Sequence, residues 1–328
     1  MQKQINILVA ENQFDATARA LLRKKANVTV ATSGATFLRA LRSADALITG
    51  IDVRCDATLL KKATRLRVIG SRTTQLRYID LTYCSTNGIT VLHIKPDSAV
   101  LQQTTSTAEE AFALILSLTR NIPWAFDQIK QGVWDRRKYA GIELKGKTLG
   151  IIGYGRLGRM VAQYGRAFGM RVIAYDPKIA SSRIRADHAT KVSLETVLRK
   201  SDIVSLHATF NDANIGMLQQ KHFALMKQSA FFINTARGEL TDERALLAAL
   251  RSRRIAGAGI DTLTGEDPLG THLQHNDLVE YARTHENLII LPHLGGATVE
   301  ATARTQRYIS SIVLQFFKRK HNSRTSGL

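Results

Sequence analysis

The 328-residue chain has few cysteines, few acidic residues and no long apolar run, and each shortage excludes a class of protein. Its two cysteines, Cys55 and Cys84, are too few for a disulfide framework, so we expect a reducing, cytoplasmic setting. No stretch approaches 18 uninterrupted apolar residues, so no membrane span or membrane partner is expected. The N-terminus leads directly into a strand pattern instead of the apolar core of a signal peptide.

Acidic residues are outnumbered, with 27 Asp and Glu against 46 Lys and Arg, which gives a formal net charge of +19. Residues 1–100 hold 15 basic against 7 acidic side chains, and residues 299–328 hold 6 against 1. Such asymmetry suits an anionic substrate, a nucleic acid or an acidic surface, and is also compatible with a solvated basic face. The chain lacks the interleaved aromatic and basic residues of many nucleic-acid sites, so a nucleic-acid partner is not expected.

The length and the apolar fraction of 44% indicate two domains with real cores. Strand patterns alternate with helical patterns along the chain, which predicts parallel α/β sheets covered by helices. Predicted strands cover residues 5–10, 28–31, 46–49, 66–70, 89–93, 148–152, 171–175, 202–207, 230–235, 256–261 and 288–293. Predicted helices include 14–25, 37–42, 57–63, 242–251 and 299–318.

A long helix is predicted over residues 105–121. Ser106 and Glu109 have the spacing of a capping box at its start. Apolar residues occupy nearly every face of this helix, so we expect it to be buried all round or to pack against a partner chain.

The most informative segment is a glycine-rich run that joins a buried strand to a helix. Gly153, Gly155 and Gly158 have the spacing of a dinucleotide fingerprint, in which the glycines permit a tight turn, a close pyrophosphate and close helix packing. Asp176 follows the next strand, where an acid binds the ribose hydroxyls and repels a 2′-phosphate, so NAD is favoured over NADP. Arg183 and Arg185 follow shortly afterwards and keep NADP open.

Three polar residues follow predicted strands beyond this segment, at the sheet edge where α/β proteins bind ligands. Arg237 can hold a carboxylate through two hydrogen bonds. His293 can transfer a proton near neutral pH, and a carboxylate such as Glu266 can fix its tautomer. Together with a nicotinamide, this set is suited to hydride transfer between a 2-hydroxy acid and its 2-oxo acid. Taken singly, each of the three could instead be an ordinary loop or core residue.

With these residues in place, the chain resembles the D-isomer-specific 2-hydroxyacid dehydrogenase family along nearly its whole length. The resemblance is carried by residues 145–158, 202–207, 233–240, 259–261, 266–268 and 292–298. It implies a Rossmann cofactor domain, residues 101–298, inserted into a flavodoxin-like substrate domain, residues 1–100 with 299–328. It also implies a homodimer formed through a long helix like residues 105–121.

The resemblance further implies roles for individual residues. Arg237 would bind the substrate carboxylate, His293 would be the general acid/base with Glu266 as its partner, and Asp261 would lie near the nicotinamide carboxamide. No metal ligands are implied. The implied cofactor-binding set comprises Gly153, Gly155, Arg156, Leu157, Gly158, Asp176, His207, Thr209, Thr235, Ala236, Asp261, Gly295 and Gly296.

The first domain departs from the family pattern in the loop at residues 71–78, where the family usually has glycines. Non-glycine residues restrict the positive-φ conformations that such a loop can adopt. We expect Arg72, Thr73 and Thr74 to contact substrate, with Arg72 either meeting a second anionic group or pointing outward. We therefore expect retained chemistry with an altered substrate pocket.

The predicted activity is an NAD-dependent D-2-hydroxyacid dehydrogenase that acts on a small anionic substrate. D-3-phosphoglycerate, D-lactate, hydroxypyruvate and a sugar acid all remain open as substrates. The alternatives are a non-enzymatic NAD-sensing protein resembling a corepressor and a nucleic-acid binder that uses the basic first domain.

Overall fold

The computed structural model describes residues 4–74, 76–266 and 270–325, with side chains described as far as residue 319. The chain forms two compact units, one made of Met1–Thr104 with Thr298–Leu328 and the other of Thr105–Ala297. Every strand pair in both units is parallel. The prediction of two parallel α/β sheets is therefore confirmed.

The first unit is built on a five-stranded sheet of order β2-β1-β3-β4-β5, which is the flavodoxin-like order. Its strands are β1 (Ile5–Ala10), β2 (Ala26–Val30), β3 (Ala46–Thr49), β4 (Val68–Ser71) and β5 (Thr90–His93). Its helices are α1 (Ala16–Arg23), α2 (Gly34–Ser43), α3 (Ala57–Leu60), α4 (Leu81–Thr86), α5 (Ala99–Gln102) and, at the C-terminus, α14 (Val299–Thr325).

Alternation along β1 directs its side chains to two cores, one on each face of this sheet. Ile7 and Val9 pack with buried residues of α14 such as Ile309, whereas Leu8 packs with α2 residues such as Leu41. The end of the chain thus covers one face of a sheet whose strands come from the beginning of the chain.

The second unit is built on a seven-stranded sheet of order β12-β11-β10-β9-β6-β7-β8, a doubly wound Rossmann order with one added strand. Its strands are β6 (Thr148–Ile152), β7 (Arg171–Tyr175), β8 (Thr190–Lys191), β9 (Ile203–Leu206), β10 (Phe231–Asn234), β11 (Gly257–Ile260) and β12 (Leu288–Ile290). Its helices are α6 (Ser106–Thr119), α7 (Ile122–Lys130), α8 (Arg156–Ala167), α9 (Ser181–Ala186), α10 (Leu194–Lys200), α11 (Gln220–Phe223), α12 (Glu243–Arg251) and α13 (Asp277–Ala282). The order reverses between β6 and β9, so these two strands form the switch point.

Helix α6 lacks the capping box that the sequence predicts at its start. Thr105 is the N-cap residue and makes no side-chain capping bond, and the Ser106 hydroxyl is buried without a hydrogen-bond partner, so the predicted capping box is wrong. The helix covers β10 and β11 of its own unit. Its buried residues therefore pack within this chain, and a contact of this helix with a partner chain stays a prediction. The next helix, α7, has no buried residue.

Several strand and helix ends also differ from prediction, and the ends of β12 and α14 are two of them. The strand predicted over 288–293 ends at Ile290, so His293 lies in the following loop. Helix α14 continues beyond residue 318 to Thr325.

Cys55 and Cys84 are both buried free thiols. Among the described residues, no helix combines the length and apolar character required to cross a membrane.

Candidate active site

Three glycines lie at the turn between β6 and α8, and two of them are required for steric reasons. Gly153 has φ of +91°, and a Cβ there would lie 2.5 Å from the backbone nitrogen of Ala208, which follows β9. A Cβ at Gly158 would lie 2.1 Å from the Gly153 carbonyl oxygen, so only glycine permits this contact between helix and turn. At Gly155, the N-cap residue of α8, a Cβ would meet nothing within 4 Å.

The open space at Gly155 lies at the N-terminus of a twelve-residue helix, whose free N–H groups and dipole favour a phosphate group. Arg156 and Leu157 are the first two residues of α8. The segment therefore offers both the space and the N–H donors that a dinucleotide requires.

Asp176 follows β7 directly and organises the glycine-rich turn. Its Oδ2 atom accepts a hydrogen bond from the backbone nitrogen of Tyr154 at 2.8 Å, and its Oδ1 atom accepts from those of Lys178 and Ile179. A carboxylate oxygen can accept two hydrogen bonds, so acceptor capacity remains for a ligand hydroxyl.

The other predicted cofactor residues lie at the carboxyl ends of neighbouring strands. His207 follows β9; burial lowers the pKa of its imidazole to about 4, and its Nε2 atom lies 2.8 Å from the Ser205 hydroxyl. Thr209 lies two residues further on and is exposed. Thr235 and Ala236 follow β10, and the buried Thr235 hydroxyl has no hydrogen-bond partner. A bound ligand or a water molecule could satisfy such a hydroxyl.

His293 and Glu266 form the pair expected from the sequence. The Nδ1 atom of His293 lies 2.6 Å from Oε2 of Glu266, and both side chains are about one-third exposed, at 31% and 27%. Burial by itself would raise the pKa of Glu266, but the hydrogen bond and charge of His293 outweigh it and lower that pKa. Oε1 of the same carboxylate accepts a bond from the Leu263 nitrogen at 2.7 Å, which fixes its orientation.

Arg237 lies in the turn after β10, and close packing brings this turn against the segment that leads to Glu266. Asn234 shapes the turn by donating to the Arg237 carbonyl oxygen at 2.9 Å. A Cβ at Gly238 would lie 2.2 Å from the Leu263 carbonyl carbon, so glycine is required for this approach. Arg237 is near enough to Glu266 for its charge to lower the pKa of that carboxyl.

Two side chains anchor the loop that carries His293. Both carboxylate oxygens of the buried Asp261 accept backbone bonds, from Leu294 at 2.6 Å and from Gly295 at 2.9 Å. In addition, the Thr107 hydroxyl of α6 donates to the Gly295 carbonyl oxygen at 2.9 Å. His293 itself has φ of +56°, a strained backbone for a non-glycine residue, so these anchors hold it where it would not settle unaided. Gly296, which the sequence analysis assigned to the cofactor-binding set, is exposed.

The carboxyl group of Glu110, on α6, also faces this loop, and the sequence analysis did not identify it. Burial and the charge of Asp261 raise the pKa of Glu110 to about 7, against an opposing effect of His293. Thr107 and Glu110 are three residues apart and share a helix face. That spacing was visible in the sequence, but the position of the loop beside it was not.

Arg72, Thr73 and Thr74 belong to the first unit, directly after β4. The Nε atom of Arg72 lies 3.0 Å from Oε2 of Glu11, a carboxylate that is 2% exposed at the end of β1. Arg72 therefore already has an anionic partner within the protein. The sequence analysis expected it either to meet an anionic group of the substrate or to point outward, and did not foresee this pairing. The Thr73 hydroxyl lies 3.1 Å from both the Ser71 and Tyr78 hydroxyls, and Thr74 is half-buried.

Hydroxyl groups therefore order the start of this loop, and the described residues 71–74 and 76–78 contain no positive φ. Gln75 of the same loop lies outside the described residues. So do Asp267 and Pro268, which carried part of the family resemblance.

Comparison with known proteins agrees with this geometry. Residues 112–295 match the family model described as "D-isomer specific 2-hydroxyacid dehydrogenase, NAD binding domain". The chain is 37% identical over 278 residues to D-3-phosphoglycerate dehydrogenase of Bacillus subtilis and 35% identical over 280 residues to the human protein of that name. Each alignment covers 85% of this chain but 50% of the relative, so the chain spans about half the length of these relatives.

Solved structures match across both units. D-lactate dehydrogenase from Aquifex aeolicus, complexed with NAD and lactic acid, has a TM-score of 0.78 at 29% identity, with 96% of each chain covered. A pyruvate reductase of Chlamydomonas reinhardtii has a TM-score of 0.82 at 25% identity and covers 95% of this chain and 97% of its own.

Proposed function

Because this chain belongs to the D-isomer-specific 2-hydroxyacid dehydrogenase family, we propose that it is an NAD-dependent oxidoreductase interconverting a D-2-hydroxy acid and its 2-oxo acid. The observation that carries the proposal is the His293–Glu266 pair at 2.6 Å, beside Arg237, at the carboxyl edge of a sheet whose first turn suits a dinucleotide.

The residues present fit a dinucleotide. The free space at Gly155, the start of α8 and the remaining acceptor capacity of Asp176 suit the pyrophosphate and a ribose, and the unpartnered Thr235 hydroxyl offers a further polar contact. We propose that the thirteen cofactor residues named from the sequence hold NAD there. When bound, a nicotinamide supplies or accepts a hydride.

The protein's own groups would manage the carboxylate and the proton. Arg237 holds the substrate carboxylate and offsets the negative charge that develops on the 2-oxo oxygen. His293, when protonated, donates its proton to that oxygen in reduction, and the neutral ring accepts it back in oxidation. Glu266 fixes the ring and stabilises its charged form, and Asp261 holds the loop that carries it.

We retain Arg72, Thr73 and Thr74 as proposed substrate contacts. Arg72 is already paired with the buried Glu11, so its charge is largely offset before a substrate arrives. This pairing favours a neutral or polar distal group on the substrate over a phosphate.

We also propose that the protein is a homodimer in the cytoplasm. Helix α7 exposes apolar side chains four and then three residues apart, Ile122, Phe126 and Ile129, followed by Trp134, which is 88% exposed. Such a contiguous apolar face is typical of a protein interface. The two free thiols favour a reducing compartment.

The family relationship and the His293–Glu266 pair favour an enzyme over a non-enzymatic NAD sensor or a nucleic-acid binder. The test is an NADH-oxidation screen over 2-oxo acids with and without phosphate groups. We expect turnover of at least one unphosphorylated 2-oxo acid. Intact NADH binding without any turnover would instead favour the sensor, and failure to bind NADH would remove the cofactor assignment.

A further inference from the structure

Glu110 lies beside the proposed acid/base group and has no role in the mechanism above. It is half-buried in the first part of α6, whose preceding turn holds the His293 loop through the bond from Thr107 to Gly295. Thr107 and Glu110 lie on one face of the helix because they are three positions apart in the sequence. Both therefore face the loop of residues 293–295.

Several charged and titratable groups lie on the elements packed against α6. On the elements packed against α6, Asp261 at the end of β11 and His293 after β12 both act on Glu110, with opposite sign. Glu266 is hydrogen-bonded to His293, and the charge of Arg237 also acts on Glu266. Helix α8 presents Tyr164 toward Phe112 and Glu109, the exposed neighbour of Glu110.

We propose that Glu110 is a positioning residue of the active site, whose charge state controls how firmly His293 holds its proton. The role in catalysis rests on the proposed function. Burial raises the pKa of Asp261 as well, but its two backbone bonds oppose that effect. Glu266 is bonded to His293 and Leu263, and its pKa is lowered. Glu110 is therefore the carboxyl of this group that we expect to gain and lose a proton near neutral pH.

The sign of the effect follows from the charges. Burial, with Asp261 adding to it, raises the pKa of Glu110 to about 7, so the group is neutral at pH 5.5 and anionic at pH 8.5. The anion favours the protonated imidazole, because opposite charges stabilise each other. Reduction, which needs that proton, should therefore persist to higher pH than it would without Glu110.

The first test compares pH profiles of kcat/KM for wild type, Glu110→Gln and the control Glu109→Gln. In reduction, the ratio of wild type to Glu110→Gln should be about one at pH 5.5 and rise to roughly three- to tenfold at pH 8.5, since one pKa unit corresponds to tenfold. In oxidation, which needs the neutral ring, Glu110→Gln should be the faster enzyme between pH 7 and 8. Glu109→Gln should follow wild type. An equal loss at every pH and in both directions would show a structural role and overturn the proposal.

A second measurement does not depend on turnover. The Cε1–H signal of His293, assigned by its loss in His293→Gln, is titrated by NMR in the same three proteins. We expect the midpoint in Glu110→Gln to fall by about 0.5–1 pH unit and that in Glu109→Gln to remain unchanged. An unchanged midpoint in Glu110→Gln overturns the proposal. A shifted midpoint in a protein that reduces no 2-oxo acid would leave the coupling intact and remove only the proposed function.

Discussion

The Nδ1 atom of His293 lies 2.6 Å from Oε2 of Glu266, although 26 residues separate the two along the chain. With Nδ1 committed to the carboxylate, Nε2 is the ring atom that can exchange a proton with a substrate. The bond also fixes the ring, and Asp261 and Thr107 hold the loop on which it stands.

The glycine-rich turn predicts opposite outcomes for two similar substitutions. Gly155→Ala places its methyl group in open space at φ of −74°, so we expect thermal stability within about 1 kcal/mol of wild type and loss of NADH binding. Gly158→Ala drives its methyl group into the Gly153 carbonyl and should cost about 3 kcal/mol of unfolding free energy. Thermal unfolding and NADH fluorescence titration measure both. Normal NADH binding by a folded Gly155→Ala protein would contradict the assigned phosphate position.

Asp176 is expected to select NADH over NADPH. In Asp176→Ala, three backbone N–H groups lose their acceptor and the repulsion of a 2′-phosphate disappears. We expect KM for NADH to rise about tenfold, equivalent to about 1.4 kcal/mol, and the preference for NADH to shrink. The control is Asp187→Asn, which removes the negative charge paired with Arg159. Unchanged selectivity in Asp176→Ala would remove this role.

Thr107 is expected to matter to catalysis without touching the substrate. Thr107→Val keeps the side-chain shape but leaves the Gly295 carbonyl without its donor, at a cost of about 1 kcal/mol. Steady-state kinetics should show kcat reduced about fivefold with KM little changed. Thr86→Val removes a comparable hydroxyl bond, to the Thr82 carbonyl, in the other unit and should leave kcat unaltered. Equal kcat in all three proteins would show that the loop does not need this anchor.

The exposed face of α7 is expected to form the dimer contact. Phe126→Asp places a charge on this face and should shift sedimentation from dimer to monomer at micromolar concentration. Ile215→Asp changes a side chain that is 60% exposed elsewhere in the same unit and should leave the dimer intact. A wild-type protein that sediments as a monomer would refute the proposed homodimer.

Much of this fold could be predicted from the sequence, because buried strands in parallel sheets are short apolar runs. Residues 5–10 and 46–49 were predicted as strands with the observed bounds. The end of β12 was not, since Leu291 and Pro292 continue the apolar pattern although the ladder stops at Ile290. The capping box at Ser106 failed because the helix begins one residue too early for Ser106 to be its cap.

The positions of Asp176 and Arg237 at the carboxyl ends of β7 and β10 could be predicted, because each follows a clear strand pattern; their roles stay predictions. The site was not predictable where two distant segments meet, because the residues involved carry no motif. Thr107 reaches a carbonyl 188 positions away, and Glu11 meets Arg72 through the sheet order of the first unit. The proximity of Glu110 to the His293 loop depends on how α6 packs, which the sequence does not show.

We propose above all that Arg237 holds the carboxylate of a bound substrate and that His293 transfers the proton. The most direct measurement is kcat/KM for reduction of the best 2-oxo acid by Arg237→Ala and His293→Ala, with NADH affinity measured on the same preparations. We expect losses of about 10²- to 10⁴-fold in each variant with NADH affinity unchanged. Wild-type-like rates in both variants would contradict the account.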